Sequence, residues 1–285
     1  MDGWRRHAQR FGLLWSGVLG CGTHAPLMKD GSDAGKRSVS VAAAPGAPNA
    51  EPDNFSFFVT SLEAVRELSG RQDGFGGDLR YGESTGLAGA DKICTELAER
   101  SLAGSGKKVW HAFLSAKAGG PNGEVVHARD RIGSGPWYDR TGRLLAMNLD
   151  QLLTVRPAAD VAIANDLPNE RGEPNHGPPD IDNHDVVTAS DAQGRYSNGV
   201  TCNDWTSTET VMPPADSTMR RNGFNHNGPA VGHSWPAQSG QSWIYAHSAP
   251  GCAPSVGLVQ TGAGSGVGIG NGGGYGGIYC FAMAP

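Results

Sequence analysis

Residues Gly86 to Ala98, GLAGADKICTELA, form the stretch of sequence that decides the fold. From Leu87 onward, apolar side chains recur three and four positions apart, which is the spacing of an amphipathic helix. The apolar positions are Leu87, Ala90, Ile93, Cys94, Leu97, Ala98 and Leu102. Thr85 is a candidate N-cap, and Gly104 is a candidate end of the helix. Cys94 falls on the buried stripe, which favours a structural bridge over a reactive thiol.

The N-terminal residues predict export from the cytosol. Arginines in the first ten positions precede the almost uncharged run FGLLWSGVLG, from Phe11 to Gly20, and this arrangement is typical of a secretory signal. The run is too short to span a bilayer as a helix. The tetrad that ends at Cys21 resembles a bacterial lipobox, in which the cysteine is acylated and the peptide before it is removed. This interpretation predicts a lipid anchor at Cys21 and a position on the outer membrane or cell surface.

Leu19 is bulky for its position in a lipobox, and an ordinary cleaved signal is the alternative. In that case the protein is soluble and secreted, and Cys21 is either lost or left as an odd thiol. Both interpretations place the folded part outside the cytosol.

The other four of the five cysteines are Cys94, Cys202, Cys252 and Cys280. An even number of cysteines in an oxidising compartment favours disulfides over a metal cluster. Four cysteines allow three connectivities, and their spacing does not choose among them.

Composition separates a tether from a folded domain. Residues 1–21 are the signal peptide and lipobox, and residues 22–53 are rich in Ala, Pro, Gly and Ser without a periodic apolar face, which predicts a disordered tether. Residues 54–285 then form one domain. The net charge of −5 and the lack of dense Lys and Arg runs argue against nucleic acid and other polyanions as partners.

The domain shows the pattern of an α+β fold, with one principal helix against a small, loop-rich antiparallel sheet. Strand patterns occur at 55–61, 109–115, 186–188, 242–246 and 277–282, and a hairpin pattern occurs at 135–146. Residues 148–154 are predicted to form a helical turn, and 156–182 a long loop of a kind that is usually functional or mobile. The Gly262 to Gly277 run is predicted to be a flexible insertion.

Six separated segments resemble the endostatin-like branch of the C-type-lectin-like fold, as it occurs in bacterial surface lipoproteins. They are GLAGADKICTELA (86–98), VWHAFLS (109–115), ARDRIGSGPWYD (128–139), SDAQGR (190–195), TCNDWTS (201–207) and IYCFA (278–282). Their order also agrees, and the resemblance covers about residues 55–285. It implies that Cys94 pairs with Cys280 and that Cys202 pairs with Cys252.

The resemblance also implies a non-catalytic binding module, since some bacterial relatives bind matrix or serum proteins of a host. We therefore expect recognition of an extracellular protein through the loops at 160–240, with Trp235, Asn175 and Asp182 as candidate ligand-binding residues. Trp235 stands among Gly and Ser, where an exposed tryptophan suits a protein or sugar contact.

A calcium-dependent, carbohydrate-binding lectin is the first alternative. Sugar-binding members of the lectin fold use a Glu-Pro-Asn triplet, and this chain has one at Glu173 to Asn175. The candidate calcium ligands are Glu173, Asn175, Asp180, Asp182 and Asp185, whose oxygens suit Ca²⁺. The triplet lies farther from Cys202 than that pattern expects, and the usual Trp-Asn-Asp element between the middle cysteines is missing.

Zinc and catalysis are the remaining possibilities. Five histidines in the loop-rich half are candidates to bind Zn²⁺ together with Asp180 or Asp185. They are His176, His184, His226, His233 and His247. His176 and His184 are the candidate zinc ligands named from this set. Their spacings match no local metal signature. A hydrolase built from loop His and Asp residues lacks a GxSxG or HExxH motif, so no catalytic residue is assigned. No cofactor is required by the sequence, and Ca²⁺ is the candidate.

Overall fold

The structure is a computed structural model that describes residues 54–211, 227–259 and 266–284. The predicted signal peptide, the lipobox Cys21, the tether and His226 lie outside these residues. No helix within the described ranges is long and apolar enough to cross a membrane.

Helix α2, Gly86–Ser101, is the principal helix, and Thr85 caps it by accepting a hydrogen bond from the backbone of Ala88 at 3.2 Å, as predicted. Its buried stripe includes Cys94 and every predicted position except Leu102, which follows the end of the helix and is half-buried. The described residues also form α1, Leu62–Ser69, which is not among the predicted elements, and α3, Leu149–Leu152, at the predicted helical turn.

Within the described residues, nine strands form three small sheets: β1 Phe57–Val59, β2 Trp110–Ala112, β3 Trp137–Tyr138, β4 Leu144–Ala146, β5 Asp185–Val187, β6 Ala230–His233, β7 His247–Ser248, β8 Gly274–Gly277 and β9 Tyr279–Ala282. Strand β9 lies between β1 and β2, and β3 pairs with β4 as the predicted hairpin. The third sheet has the order β7-β6-β5-β8. Its pairs are antiparallel except β5 with β8, which is parallel.

The sheet of β1, β9 and β2 is buried on both faces. Phe58 packs with α2 in one hydrophobic core, whereas Phe57 packs with Phe281 in a second core on the other side. Neighbouring strand residues point to opposite faces, so a strand between two cores needs apolar side chains at adjacent positions. This explains why β1 does not alternate cleanly between apolar and polar residues.

Both disulfides have the connectivity that the resemblance implies. Cys94 on α2 is bonded to Cys280 on β9, and Cys202 is bonded to Cys252. The first bond joins the principal helix to a central strand, and the second lies in the loop-rich half. The molecule is an α+β protein stabilised by these bonds.

Cys202–Trp205 is a short left-handed turn, because all of its residues have positive φ angles between 51° and 67°. Non-glycine residues rarely adopt this conformation in succession. The last two residues of the turn are held by the neighbouring chain: the Asp204 carboxylate accepts hydrogen bonds from the backbone N–H groups of Lys117 and Ala118, and the Trp205 indole donates to the Ser115 carbonyl at 2.9 Å.

Two sequence-based expectations are wrong. The strand expected at 242–246 lies instead at β7, because Trp243 and Ile244 are buried in the second core as part of a bend. The end of the predicted flexible insertion is the buried strand β8. Glycines there permit close packing: a Cβ at Gly274 would lie 2.8 Å from Cβ of Asp185 on the neighbouring strand.

Candidate metal centre

Strand register brings one aspartate and two histidines to the same face of the four-stranded sheet. Asp185 opens β5 and lies directly opposite His233, the last residue of β6. His247 opens β7 opposite Val231, so it is the diagonal neighbour of His233. Opposite and diagonal residues of antiparallel strands share a face and lie within side-chain reach. His184, immediately before β5, completes the group.

The four side chains converge on a single point. Oδ1 of Asp185 lies 3.2 Å from Nε2 of His184, 3.3 Å from Nε2 of His233 and 3.2 Å from Nε2 of His247. One ligating atom from each residue lies within 4.8 Å of every other. Within the described residues, this is the one group of three or more His, Cys, Asp or Glu side chains with that property.

These distances match the edges of a tetrahedral metal site. Zinc binds imidazole nitrogen at about 2.0–2.1 Å and carboxylate oxygen at about 2.0–2.2 Å, so two tetrahedral ligands lie about 3.3–3.5 Å apart. The three oxygen-to-nitrogen distances of 3.2–3.3 Å are close to that length. The three contacts of Asp185 therefore have the separation expected between ligands of one metal ion.

The centre is buried, although its residues are polar. His184, Asp185 and His233 are 1–2% exposed, and His247 is partly exposed at its edge. Neither carboxylate oxygen of Asp185 makes a regular hydrogen bond, and the ring nitrogens of His184 and His233 make none either. Buried polar groups are normally hydrogen-bonded, so this concentration of atoms without regular hydrogen bonds is an arrangement that suits a bound cation.

Mutual contacts shift the pKa values within the group. Burial opposes protonation of His184, but the carboxylates of Asp182 and Asp185 outweigh burial and raise its pKa to about 9. Burial favours the neutral acid of Asp185, yet the three histidines outweigh it and hold the pKa well below its usual range. Burial lowers the pKa of His233, whereas the pKa of His247 is raised because its contact with Asp185 outweighs burial.

Contacts at the Nδ1 atoms leave Nε2 free to face the centre. Nδ1 of His184 lies 2.5 Å from Oδ1 of Asp182, and Nδ1 of His247 lies 3.2 Å from the Ser248 carbonyl. An acceptor at Nδ1 fixes the proton there and leaves the lone pair of Nε2 for a metal ion. This outer contact is typical of histidines that ligate metals.

Neighbouring residues hold the centre in place. The guanidinium of Arg156 donates to the backbone carbonyls of His233, Ser234 and Ala164. These bonds fix the end of β6 against the loop at 156–182. The Trp235 ring stands edge-on to His184, with 5.0 Å between ring centroids. Its indole N–H donates to Asn183 at 3.0 Å.

The candidate residues predicted from sequence are only partly brought together. His184 and Asp185 belong to the centre, and Asp182 contacts it. His176 does not: it stacks on Trp235 with ring centroids 3.9 Å apart. Trp235 is half-buried by this stack and by the contact with His184. The other four described tryptophans are buried, so Trp235 is the most exposed of them, as predicted.

The other proposed calcium ligands are dispersed. Asp180 is exposed to solvent, and Glu173 pairs with Arg171 at 2.7 Å. Asn175 is buried and donates to Ser234 at 2.9 Å. Glu173 to Asn175 line a groove of about 510 Å³ beside the His176–Trp235 stack. Calcium binding at these residues stays a prediction.

The sequence places His233 and His247 with His184 only as members of the set of five histidines in the loop-rich half. The signal that distinguishes them is their place at strand ends, His233 directly after AVG and His247 at the start of a short strand. Recognising it requires the strand register.

No family model matches this chain and no curated protein matches it, so the interpretation of the centre rests on its own geometry.

Proposed function

We propose that this chain is an exported binding module whose domain holds one zinc ion in a structural centre. The observation that carries this proposal is the approach of three buried imidazole nitrogens to one oxygen of Asp185, at 3.2–3.3 Å. His184, His233 and His247 would ligate the metal through Nε2, and Asp185 through Oδ1.

The donor set favours zinc over calcium. Three imidazole nitrogens and one carboxylate oxygen suit Zn²⁺, whereas Ca²⁺ takes six to eight oxygen ligands in a wider shell. Cobalt and nickel compete for the same donors, and availability then decides which ion is bound.

The centre suits a structural role. Four protein ligands complete a tetrahedral shell, while catalytic zinc sites keep a position for water or substrate. The four ligands come from three chain segments that are far apart in the sequence, so one ion would join β5, β6 and β7. Metal binding of this kind contributes directly to the stability of the folded state.

The proposal also covers the fold family and the location of the protein. We take the domain to be endostatin-like within the C-type-lectin-like fold, which is supported by the segments quoted above and by the disulfide pairs Cys94–Cys280 and Cys202–Cys252. Disulfides form in oxidising compartments, which supports export. The lipid anchor would be Cys21, at the outer membrane or cell surface.

The partner we propose is an extracellular protein, bound through the loops at 160–240. The groove of about 510 Å³ supports this choice of surface, because part of its lining is residues 169–183 of these loops, which lead directly into the proposed zinc ligand His184. Helix α1 lines the other part of the groove. A calcium-dependent lectin using Glu173 and Asn175 in this groove is the second candidate. A melting temperature that rises with millimolar Ca²⁺ in the wild type but not in Glu173→Ala would favour the lectin.

Metal analysis of the purified, oxidised protein tests the zinc centre. We expect one zinc per chain after loading, and a rise in melting temperature because a ligand at 1,000 times its dissociation constant stabilises the native state by about 4 kcal/mol. The test uses a Cys21→Ser background, so that no odd thiol competes for the metal. His247→Ala and Asp185→Asn should lose the bound zinc.

His176→Ala is the matched control, since this histidine lies near the centre but does not face it. It should keep the full zinc content. Wild-type protein that takes up no zinc, or a His247→Ala variant that retains it, would contradict the proposal.

A further inference from the structure

We propose that Asp182 is a positioning residue of the metal centre: its carboxylate holds His184 in the orientation and tautomer that bind the metal. This inference rests on the proposed zinc centre. Asp182 was a candidate calcium ligand by sequence, and the structure gives it a different place, behind a ligand instead of beside the ion.

The geometry of the pair carries the inference. Oδ1 of Asp182 lies 2.5 Å from Nδ1 of His184, on the side of the ring opposite to Nε2. Both atoms are buried and neither makes a hydrogen bond of regular geometry, so this close charge contact is the polar contact that each of them has among the described residues. A carboxylate at that distance keeps the proton on Nδ1, so Nε2 carries the lone pair that faces Asp185 and the metal.

The position of Asp182 is built by the backbone around it. Its own N–H donates to the Leu258 carbonyl at 2.9 Å, and the N–H of Asp185 donates to the Gly273 carbonyl at 3.0 Å. Gly273 has a φ of 112°, and a Cβ there would lie 3.0 Å from Oδ1 of Asp182. The glycine therefore leaves the space in which the carboxylate meets the histidine.

The three histidines differ in what their Nδ1 atoms contact. His247 has the neutral carbonyl of Ser248, and Nδ1 of His233 is buried without a hydrogen bond. His184 alone of these three has a charged acceptor. An anionic acceptor raises the basicity of the ligating nitrogen, so the charge of Asp182 would strengthen the His184–metal bond more than a carbonyl would.

The size of the effect follows from comparable contacts in other metal sites. Loss of such an outer partner typically costs 10–100-fold in metal affinity. Asp182→Asn removes the charge while keeping the size of the side chain. We expect its zinc dissociation constant to be about 10–100 times that of the wild type.

The experiment measures zinc affinity by competition with a chromophoric chelator, using the full chain with Cys21→Ser. Asp180→Asn is the matched control, because it removes an equal charge two positions away at an exposed site. It should bind zinc as the wild type does. Cobalt-loaded protein adds a second measurement, since the visible absorption of Co²⁺ reports whether four-coordinate geometry is retained in Asp182→Asn.

The outcomes separate the two proposals. If Asp182→Asn binds zinc as tightly as the wild type, the positioning role is wrong while the zinc centre stands. If the wild type itself binds no zinc, the proposed function fails as well. If Asp180→Asn weakens binding as much as Asp182→Asn does, the effect is general electrostatics and the positioning role is again wrong.

A measurement on the wild-type protein covers the case in which Asp182→Asn does not fold. In the zinc-loaded protein, NMR spectra of ¹⁵N-labelled histidine should show the His184 ring with a proton on Nδ1 and the metal on Nε2. Metal on Nδ1 would overturn the inference directly.

Discussion

At the scale of single residues, Asn203 shows how the left-handed turn at Cys202–Trp205 is tolerated. Its φ is 54°, and its side-chain amide donates to Thr206 Oγ1 at 2.8 Å. Asparagine adopts this conformation more readily than other non-glycine residues, whereas a β-branched residue there is an outlier. We expect Asn203→Val to lower the free energy of unfolding by about 1–2 kcal/mol.

Asn203→Gly is the control for that substitution, since glycine has no conformational penalty at positive φ. It should stay within about 0.5 kcal/mol of the wild type, because the relief of strain offsets the lost amide contact. Denaturant unfolding measures both variants. Equal destabilisation by Val and Gly would show that the amide contact matters and the backbone angle does not.

His184 gives a second residue-scale prediction, for the pH dependence of zinc binding. Its pKa in the metal-free protein is raised to about 9, so at neutral pH the metal must displace a proton from this ring. Zinc affinity should therefore rise with pH, about tenfold per unit between pH 6.5 and 8 for each proton released. Competition titrations at several pH values measure this slope. An affinity that is constant over the range would contradict the protonated state of His184.

At the scale of secondary-structure elements, the close contact of β8 with β5 fixes the position of Asp185 relative to the other proposed metal ligands. A Cβ on Gly274 would lie 2.8 Å from Cβ of Asp185 and 3.0 Å from its carbonyl oxygen. Gly274→Ala must push β8 away from β5, and overpacking of this kind costs about 1–3 kcal/mol. We expect lower stability together with loss of tight zinc binding, measured by thermal unfolding and metal analysis.

Gly199→Ala is the comparison for Gly274→Ala. Its added Cβ would meet only the Ser197 hydroxyl, at 3.2 Å, and that group can rotate. Stability and zinc content should stay as in the wild type. If Gly274→Ala retained both, the close approach of β8 would not be required for the centre.

The elements that sequence predicts best are those with local signals. Helix α2 follows from its apolar spacing and its Thr85 cap, and the hairpin of β3 and β4 follows from the turn between them. The metal centre depends instead on register, since Asp185 meets His233 only after β5 pairs with β6. No spacing along the chain encodes that pairing. Helix α1 also has a local signal, because the capping residue Ser61 is followed by apolar residues three positions apart. It is nevertheless missing from the predicted elements.

At the scale of the whole molecule, the two disulfides differ in how much of the chain they enclose. The sequence separation is 186 for Cys94–Cys280 and 50 for Cys202–Cys252. The chain-entropy model assigns them about 5 and about 4 kcal/mol, each comparable with the net stability of a domain. We expect reduction of both to unfold the protein, as measured by circular dichroism with and without reductant.

Variants that remove one disulfide at a time separate the two contributions. Cys94→Ala with Cys280→Ala should lower the melting temperature more than Cys202→Ala with Cys252→Ala, because it frees the longer loop and leaves two buried alanines at the contact of α2 with β9. The opposite order would show that strain in the turn after Cys202 outweighs loop length.

The position of β9 between β1 and β2 has a consequence for how the protein matures. Ile278, just before β9, donates to Thr60, just after β1, across a separation of 218 residues, so the sheet cannot close until nearly the whole domain is available. Pairings of such high contact order form slowly. The central sheet of the nascent polypeptide is thus incomplete for most of its synthesis. If the protein is exported as proposed, this delay would keep the chain unfolded enough to be translocated, and the Cys94–Cys280 bond would form only after strand β9 has crossed the membrane.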